Sequence, residues 1–112
     1  MEKMIVRKNK LLQALQHHVR GRGVVTIEYE RVNPVCTSCW RMDKELKRGK
    51  DEICTRCGGR IEFDAKTECK ISKIKNGVVV YKTTEHKAPR MCRVENIFHF
   101  VDEDVELFVV KD

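Results

Sequence analysis

Ile61-Glu62-Phe63-Asp64-Ala65-Lys66-Thr67-Glu68-Cys69-Lys70-Ile71-Ser72, followed closely by Asn76-Gly77-Val78-Val79-Val80-Tyr81, is the stretch on which the fold turns. Ile61, Phe63, Ala65, Thr67, Cys69 and Ile71 alternate with Glu62, Asp64, Lys66, Glu68, Lys70 and Ser72. Successive side chains of an extended chain point to opposite faces, so this period of two predicts a long strand with one face toward a core. Asn76-Gly77 suits a hairpin turn whose central residues take positive φ, and it returns the chain into Val78-Val79-Val80-Tyr81. Cys69 falls on the inward side and reads as a small core residue.

Working outward, residues 82–90 are polar and contain Pro89, which predicts a loop. Cys92 to Val101 and Val105 to Val110 read as two further strands joined by a turn at Asp102-Glu103-Asp104. Upstream, Gly23 opens a strand that runs through Val24 to Val32 and stops at the turn signal Asn33-Pro34. Before it, Leu11, Leu12, Leu15 and Val19 make one apolar stripe, which predicts a helix. Asn9 is its expected N-cap and Gly21 lies just past its end. Arg7, Lys8, Lys10, Arg20 and Arg22 flank the stripe; His17 and His18 sit in its last turn, where a partly exposed imidazole is favourable. The expected fold class is α+β: one N-terminal helix, then a mostly antiparallel β domain with an embedded four-cysteine ribbon. The expected organisation is a single domain over 1–112, with the ribbon at 34–66 and β hairpins with an acidic C-terminal end at 67–112.

Six cysteines stand in 112 residues. No run of apolar residues is long enough to span a bilayer, and the N-terminus lacks the pattern of a secretory signal. The expected location is therefore intracellular, in cytoplasm or nucleus/nucleoid, with no membrane partner; in that reducing compartment cysteines favour metal over disulfides. Cys36-Thr37-Ser38-Cys39 and Cys54-Thr55-Arg56-Cys57 are separated by fourteen residues, one short of the usual range for paired zinc knuckles. Each two-residue gap aims two thiolates at one point, and four thiolates complete the tetrahedron that zinc prefers. Gly58-Gly59 supply a tight reversal after the second pair; Trp40 follows the first, so that knuckle lacks the glycine. Two reduced thiol pairs, a redox pair in one of them, and an iron–sulfur cluster are the alternatives. A second site from Cys69, His86, Cys92 and His99 matches no established ligand spacing.

Residues 32–66 resemble the zinc-ribbon proteins, and Ile53-Cys54-Thr55-Arg56-Cys57-Gly58-Gly59-Arg60-Ile61 looks like a second knuckle and its exit strand. The resemblance implies one structural zinc, a ribbon fold, and a family that spans transcription factors, polymerase subunits, ribosomal proteins and enzyme inserts. Fold alone does not choose among these. Four thiolates leave no open coordination position, which argues for a structural rather than catalytic ion. Such a site binds its metal by about 10–16 kcal/mol, enough to decide whether residues 34–66 fold at all.

The formal charge of +6 is unevenly spread. Residues 1–93 carry 22 Lys/Arg against 11 Asp/Glu, a net of +11, whereas 94–112 carry a net of −5. A basic body suggests an anionic partner, DNA or RNA. The candidate contacts are Arg41, Lys44, Lys47, Arg48, Lys50, Arg56 and Arg60, interleaved with Trp40 and Phe63 and diluted by Asp43, Glu45, Asp51 and Glu52. Trp40 either stacks on a base or packs beneath its knuckle. No pattern of a C2H2 finger, RRM or KH domain is present. The expected function is a small zinc-ribbon nucleic-acid-binding protein, a transcription-associated regulator or accessory factor. A protein adaptor docking on a larger machine such as RNA polymerase is the second reading. The third is a Mg²⁺-dependent nuclease, because Asp51, Asp64 and Lys66 resemble the acid, spacer, acid-x-lysine arrangement of restriction-endonuclease-like enzymes. Acid-x-lysine recurs by chance in any charged alternating strand, as in Glu68-Cys69-Lys70, so no catalytic residue and no nuclease activity are expected.

Overall fold

The computed structural model describes residues 1–19, 21, 23–85 and 88–111. Its elements run β1 (Glu2–Val6), α1 (Lys8–Val19), β2 (Val25–Cys36), β3 (Ile61–Lys75), β4 (Val78–Thr83), β5 (Arg90–Arg93), a 3₁₀ turn (Val94–Asn96), β6 (Ile97–Val101) and β7 (Val105–Val109). The strands form one sheet in the order β1-β7-β6-β2-β3-β4-β5. The chain divides into two compact units, Met1–Tyr29 with Lys66–Asp112, and Glu30–Ala65. β2 carries the chain into the second unit and β3 carries it back.

The expected α+β class is corrected to a β-rich one: 51% of the structure is strand and 14% helical, and the sheet is mixed. The chain opens on a strand rather than on the helix, and β1 pairs with β7 in parallel. β1 was illegible because only Met4 and Val6 turn partly inward, too short an alternation to register, and its partner lies at the far end of the chain. Asn9 is not the N-cap. The helix begins at Lys8, and the Arg7 carbonyl accepts from the amides of Lys10 and Leu11. Arg20, Arg22, His86 and Asp112 lie outside the described residues.

In the first unit Leu11 and Leu15 of α1 are fully buried against Val25, Ile27, Cys69, Ile71, Val79, Tyr81, Ile97, Phe100 and Leu107. Each buried leucine contributes about 1.5–3 kcal/mol, so these two anchor the helix on one face of the sheet. The Tyr81 hydroxyl, otherwise stranded in this core, meets that of Tyr29 at 2.8 Å. Asn76 and Gly77 both take positive φ, 52° and 74°, as the hairpin from β3 to β4 requires. The alternation in β3 breaks once, at a bulge between Ile71 and Lys73. The stretch from Cys92 to Val101 is two strands rather than one, split by the 3₁₀ turn that buries Val94.

β2 does not stop at Asn33-Pro34 but runs on to Cys36. Its register with β6 ends at Tyr29. Beyond it β2 keeps β3 as its neighbour in the sheet, the Pro34 carbonyl accepts from the Asp43 amide and Val35 bridges Met42, while proline's fixed φ and the extended bias on the residue before it suit that conformation. In the second unit Cys36, Cys54, Ile61 and Phe63 form a small core with Leu46 against it.

Candidate metal centre

The ribbon is built from two knuckles with the same hydrogen bonds at equivalent positions. In the first, the Cys36 amide donates to the Arg41 carbonyl (2.9 Å) and the Trp40 amide to the Cys36 carbonyl (3.0 Å). In the second, the Cys54 amide donates to the Gly59 carbonyl (2.7 Å) and the Gly58 amide to the Cys54 carbonyl (2.9 Å). The bridges Val35–Met42 and Ile53–Arg60 close both turns in the same register. Trp40 therefore occupies the position of Gly58, and both are left-handed, at φ 61° and 79°. Glycine takes that conformation freely, while an L side chain in it costs roughly 1–2 kcal/mol.

This duplication brings Cys36, Cys39, Cys54 and Cys57 together, with all four sulfurs within 4.8 Å of one another. Cys36 Sγ lies 3.3 Å from Cys57 Sγ, and Cys39 Sγ 3.8 Å from Cys54 Sγ. Four sulfurs at about 2.3 Å from a tetrahedral zinc stand about 3.8 Å apart, so the cluster can hold a metal ion. Cys36 and Cys54 are buried, and Cys39 and Cys57 exposed.

Backbone amides prepare the thiolates. Those of Cys39 and Ser38 hold the Cys36 thiol down to about 6, against the opposing effect of burial. The amides of Arg56 and Cys57 likewise lower Cys54. Cys57 goes the other way. The Gly59 amide favours its thiolate, but Cys36, burial, Cys39 and Cys54 together push it up to about 12. Four negative charges cannot gather there without a cation, and a metal must displace protons to bind. Gly59 sits where the knuckles meet: a Cβ there would lie 2.6 Å from Ser38 Oγ, 2.7 Å from Ser38 Cβ and 2.9 Å from Cys36 Sγ.

The arm between the knuckles uses its acids to order its own backbone. Asp43 accepts from the Glu45 amide, Asp51 from the Lys47 amide, and Glu52 from the Gly49 amide, at 2.8–2.9 Å. Arg41 pairs with Asp43 at 3.2 Å. Arg48 pairs with Asp64 at 2.6 Å and lies over the Phe63 ring, 5.3 Å from its centroid. Lys44, Lys47, Lys50, Arg56 and Arg60 are exposed and have no ion-pair partner among the described residues. Phe63 is buried, whereas Trp40 is 71% exposed, with Met42 and Ile53 also open.

The candidate nuclease residues are occupied elsewhere. Asp51 caps a turn, Asp64 is held by Arg48, and Lys66 belongs to the first unit, 3.9 Å from Glu28. Cys69 and Cys92 are core residues whose thiols burial pushes up to about 12. His99 is engaged by two carboxylates, Glu28 on Nδ1 at 2.9 Å and Glu106 on Nε2 at 2.8 Å. His18 is partly exposed in the last turn of its helix, as expected, and its Nε2 meets Asp102 Oδ2 at 2.9 Å, while Asp102 Oδ1 accepts from the amides of Asp104 and Val105. Asp102 and Glu28 lie far along the chain from their histidines, so these two pairings escaped the sequence; Glu106 is nearer His99 but stands on the neighbouring strand β7. No helix among the described residues is long and apolar enough to cross a membrane. No family model, curated protein or solved structure matches this chain.

Proposed function

We propose that this chain is a zinc-ribbon protein that binds nucleic acid, acting as a regulator or accessory factor rather than an enzyme. The ion is a single structural zinc held by Cys36, Cys39, Cys54 and Cys57; an all-thiolate set with amide-stabilised sulfurs supports it over the harder divalent metals. The observation that carries the nucleic-acid reading is Trp40. An exposed indole fixed in a left-handed knuckle position, on a unit whose lysines and arginines are largely unpaired, offers a base a ready stacking platform. Lys44, Lys47, Lys50, Arg56 and Arg60 supply phosphate contacts, with Arg41 and Arg48 partly committed to Asp43 and Asp64.

Trp40 is the only tryptophan, so its fluorescence reports on this site alone. Titration of zinc-loaded protein with single-stranded DNA, RNA and duplex DNA should quench it. Trp40→Ala should weaken single-strand binding by about 5- to 150-fold, the range of one base–aromatic stack. Binding that leaves Trp40 emission unchanged and survives its replacement refutes the stacking role. No binding of any of the three at low salt refutes the nucleic-acid reading. The exposed Trp40, Met42 and Ile53 favour one second reading, a protein-docking ribbon. A partner retained in pull-downs after nuclease treatment would identify it.

A further inference from the structure

The outer face of β3, β4 and β5 carries a basic array that is separate from the ribbon and lies wholly in the first unit. Cross-strand partners share a face, and Ile71, Val79, Tyr81 and Cys92 point into the core. The opposite face therefore holds three rows: Lys70 with Lys82, Lys73 with Val80 and Met91, and Lys75 with Val78 and Arg93. Lys70, Lys73, Lys75, Lys82 and Arg93 are all exposed. Arg93 is paired with Glu95 at 3.4 Å, and Glu68 stands beyond Lys70 on the same strand face. The four lysines have no ion-pair partner among the described residues.

Lys70 and Lys82 face each other directly across the ladder, with β carbons about 4.5–5.5 Å apart. Like charges so placed destabilise a sheet unless an anion neutralises them. Along β4 the rows repeat at roughly twice the 3.3 Å rise of a strand, and the bulge between Ile71 and Lys73 in β3 keeps Lys73 and Lys75 on the same face as Lys70. Half-buried Val78 and Val80 form its floor, and none of the described residues on this face is aromatic. Such a surface contacts phosphates without reading bases.

We propose that this face is a second nucleic-acid site, which holds the phosphodiester backbone without sequence preference. The choice of ligand rests on the reading of the ribbon given above. The ribbon takes unpaired bases through Trp40, and the sheet face takes backbone, duplex included.

The test is fluorescence anisotropy of a labelled duplex with the zinc-loaded full chain across a salt series. Each phosphate contact contributes about 0.9 to the slope of log affinity against log salt. Replacing Lys70, Lys73, Lys75 and Lys82 with Gln should lower that slope by about 3 to 4, with the thermal melt retained. Lys70→Gln and Lys82→Gln alone should each lower it by about 0.9, which keeps the test open if the quadruple variant misfolds. Unchanged slope in these variants, with binding lost in Lys47→Glu/Arg48→Glu/Lys50→Glu, overturns the sheet site and leaves the ribbon reading standing. Capture of the native chain, but not the lysine variants, by phosphatidylserine vesicles, without binding to duplex, overturns the proposal in favour of a membrane surface.

Discussion

Replacing Gly59 with alanine adds one carbon at the point where the two knuckles touch. That carbon would lie 2.7 Å from Ser38 Cβ and 2.9 Å from Cys36 Sγ, where carbon contacts ordinarily settle near 3.5–4.0 Å. The Ser38 hydroxyl, at 2.6 Å, can rotate away; Ser38 Cβ and the Cys36 sulfur cannot, because the knuckle backbone fixes one and the ion would fix the other. Relief requires the knuckles to part by about an ångström, which pulls Cys36 from its place among the four sulfurs. Overpacking of this kind costs roughly 1–3 kcal/mol. If the strain falls on the metal-bound state, affinity drops by about 5- to 150-fold. The assay is competition for zinc between protein and a chromogenic chelator, with cobalt absorption checking that the thiolate set is intact. Ser38→Gly in the Gly59→Ala background should recover part of the loss, leaving only the Cys36 contact. Native affinity in Gly59→Ala, or no recovery in the double variant, would show that the knuckles do not meet as described.

Trp40→Gly should relieve about 1 kcal/mol of left-handed strain, tightening metal binding several-fold while weakening single-strand binding as read by the anisotropy of a labelled strand. Weaker metal binding in this variant would refute the equivalence of the two knuckles. Metal affinity should rise with pH through the neutral range, because Cys57 keeps its proton up to about 12 in the metal-free cluster and must release it to bind. The dependence should steepen below about pH 6, where Cys36 is protonated as well; pH-resolved chelator competition measures both limbs. Asp102, despite partial burial, is held below the usual carboxylate value of 3.8 by the His18 ring and the Val105 and Asp104 amides. Its contribution to stability is therefore complete above that value and lost as pH falls through the lower folded one. Asp102→Ala should lower the thermal midpoint at pH 7 and converge with the native chain in strong acid; Asp102→Asn, which keeps an acceptor for the two amides, should lose less.

The hairpin at Asn76-Gly77, the inward set of β3 and the cysteine pairs were legible because each is a local signal: a turn needing positive φ, a period of two, a two-residue ligand gap. Leu11 and Leu15 showed the helix for the same reason. What was hidden is non-local. β1 is five residues whose meaning depends on β7, and their parallel pairing makes the sheet mixed. Pro34 reads as a turn in sequence, yet the chain around it is extended: a proline lacks only the donor, and its carbonyl still accepts from the Asp43 amide while Val35 bridges Met42. The acids of the arm read as dilution of a basic patch, whereas Asp43, Asp51 and Glu52 accept from backbone amides that would otherwise lack partners. Trp40 stood out as the residue that breaks the glycine rule, and the structure gives it the glycine's conformation.

The doubled knuckle also governs how an ion would come and go. Each half contributes one inner sulfur, Cys36 or Cys54, and one outer sulfur, Cys39 or Cys57. A metal captured by either half would meet the other at the high effective concentration of an intramolecular partner, which would favour stepwise loading and slow loss into bulk solvent. The two outer thiolates share an accessible flank, open to an incoming thiol or chelator. With a metal bound, Cys39 and Cys57 would be the ligands open to substitution, with Cys36 and Cys54 shielded by burial. A centre of this shape would combine tight retention with ready hand-over, its ion leaving at a rate set more by the competitor offered to it than by its equilibrium constant.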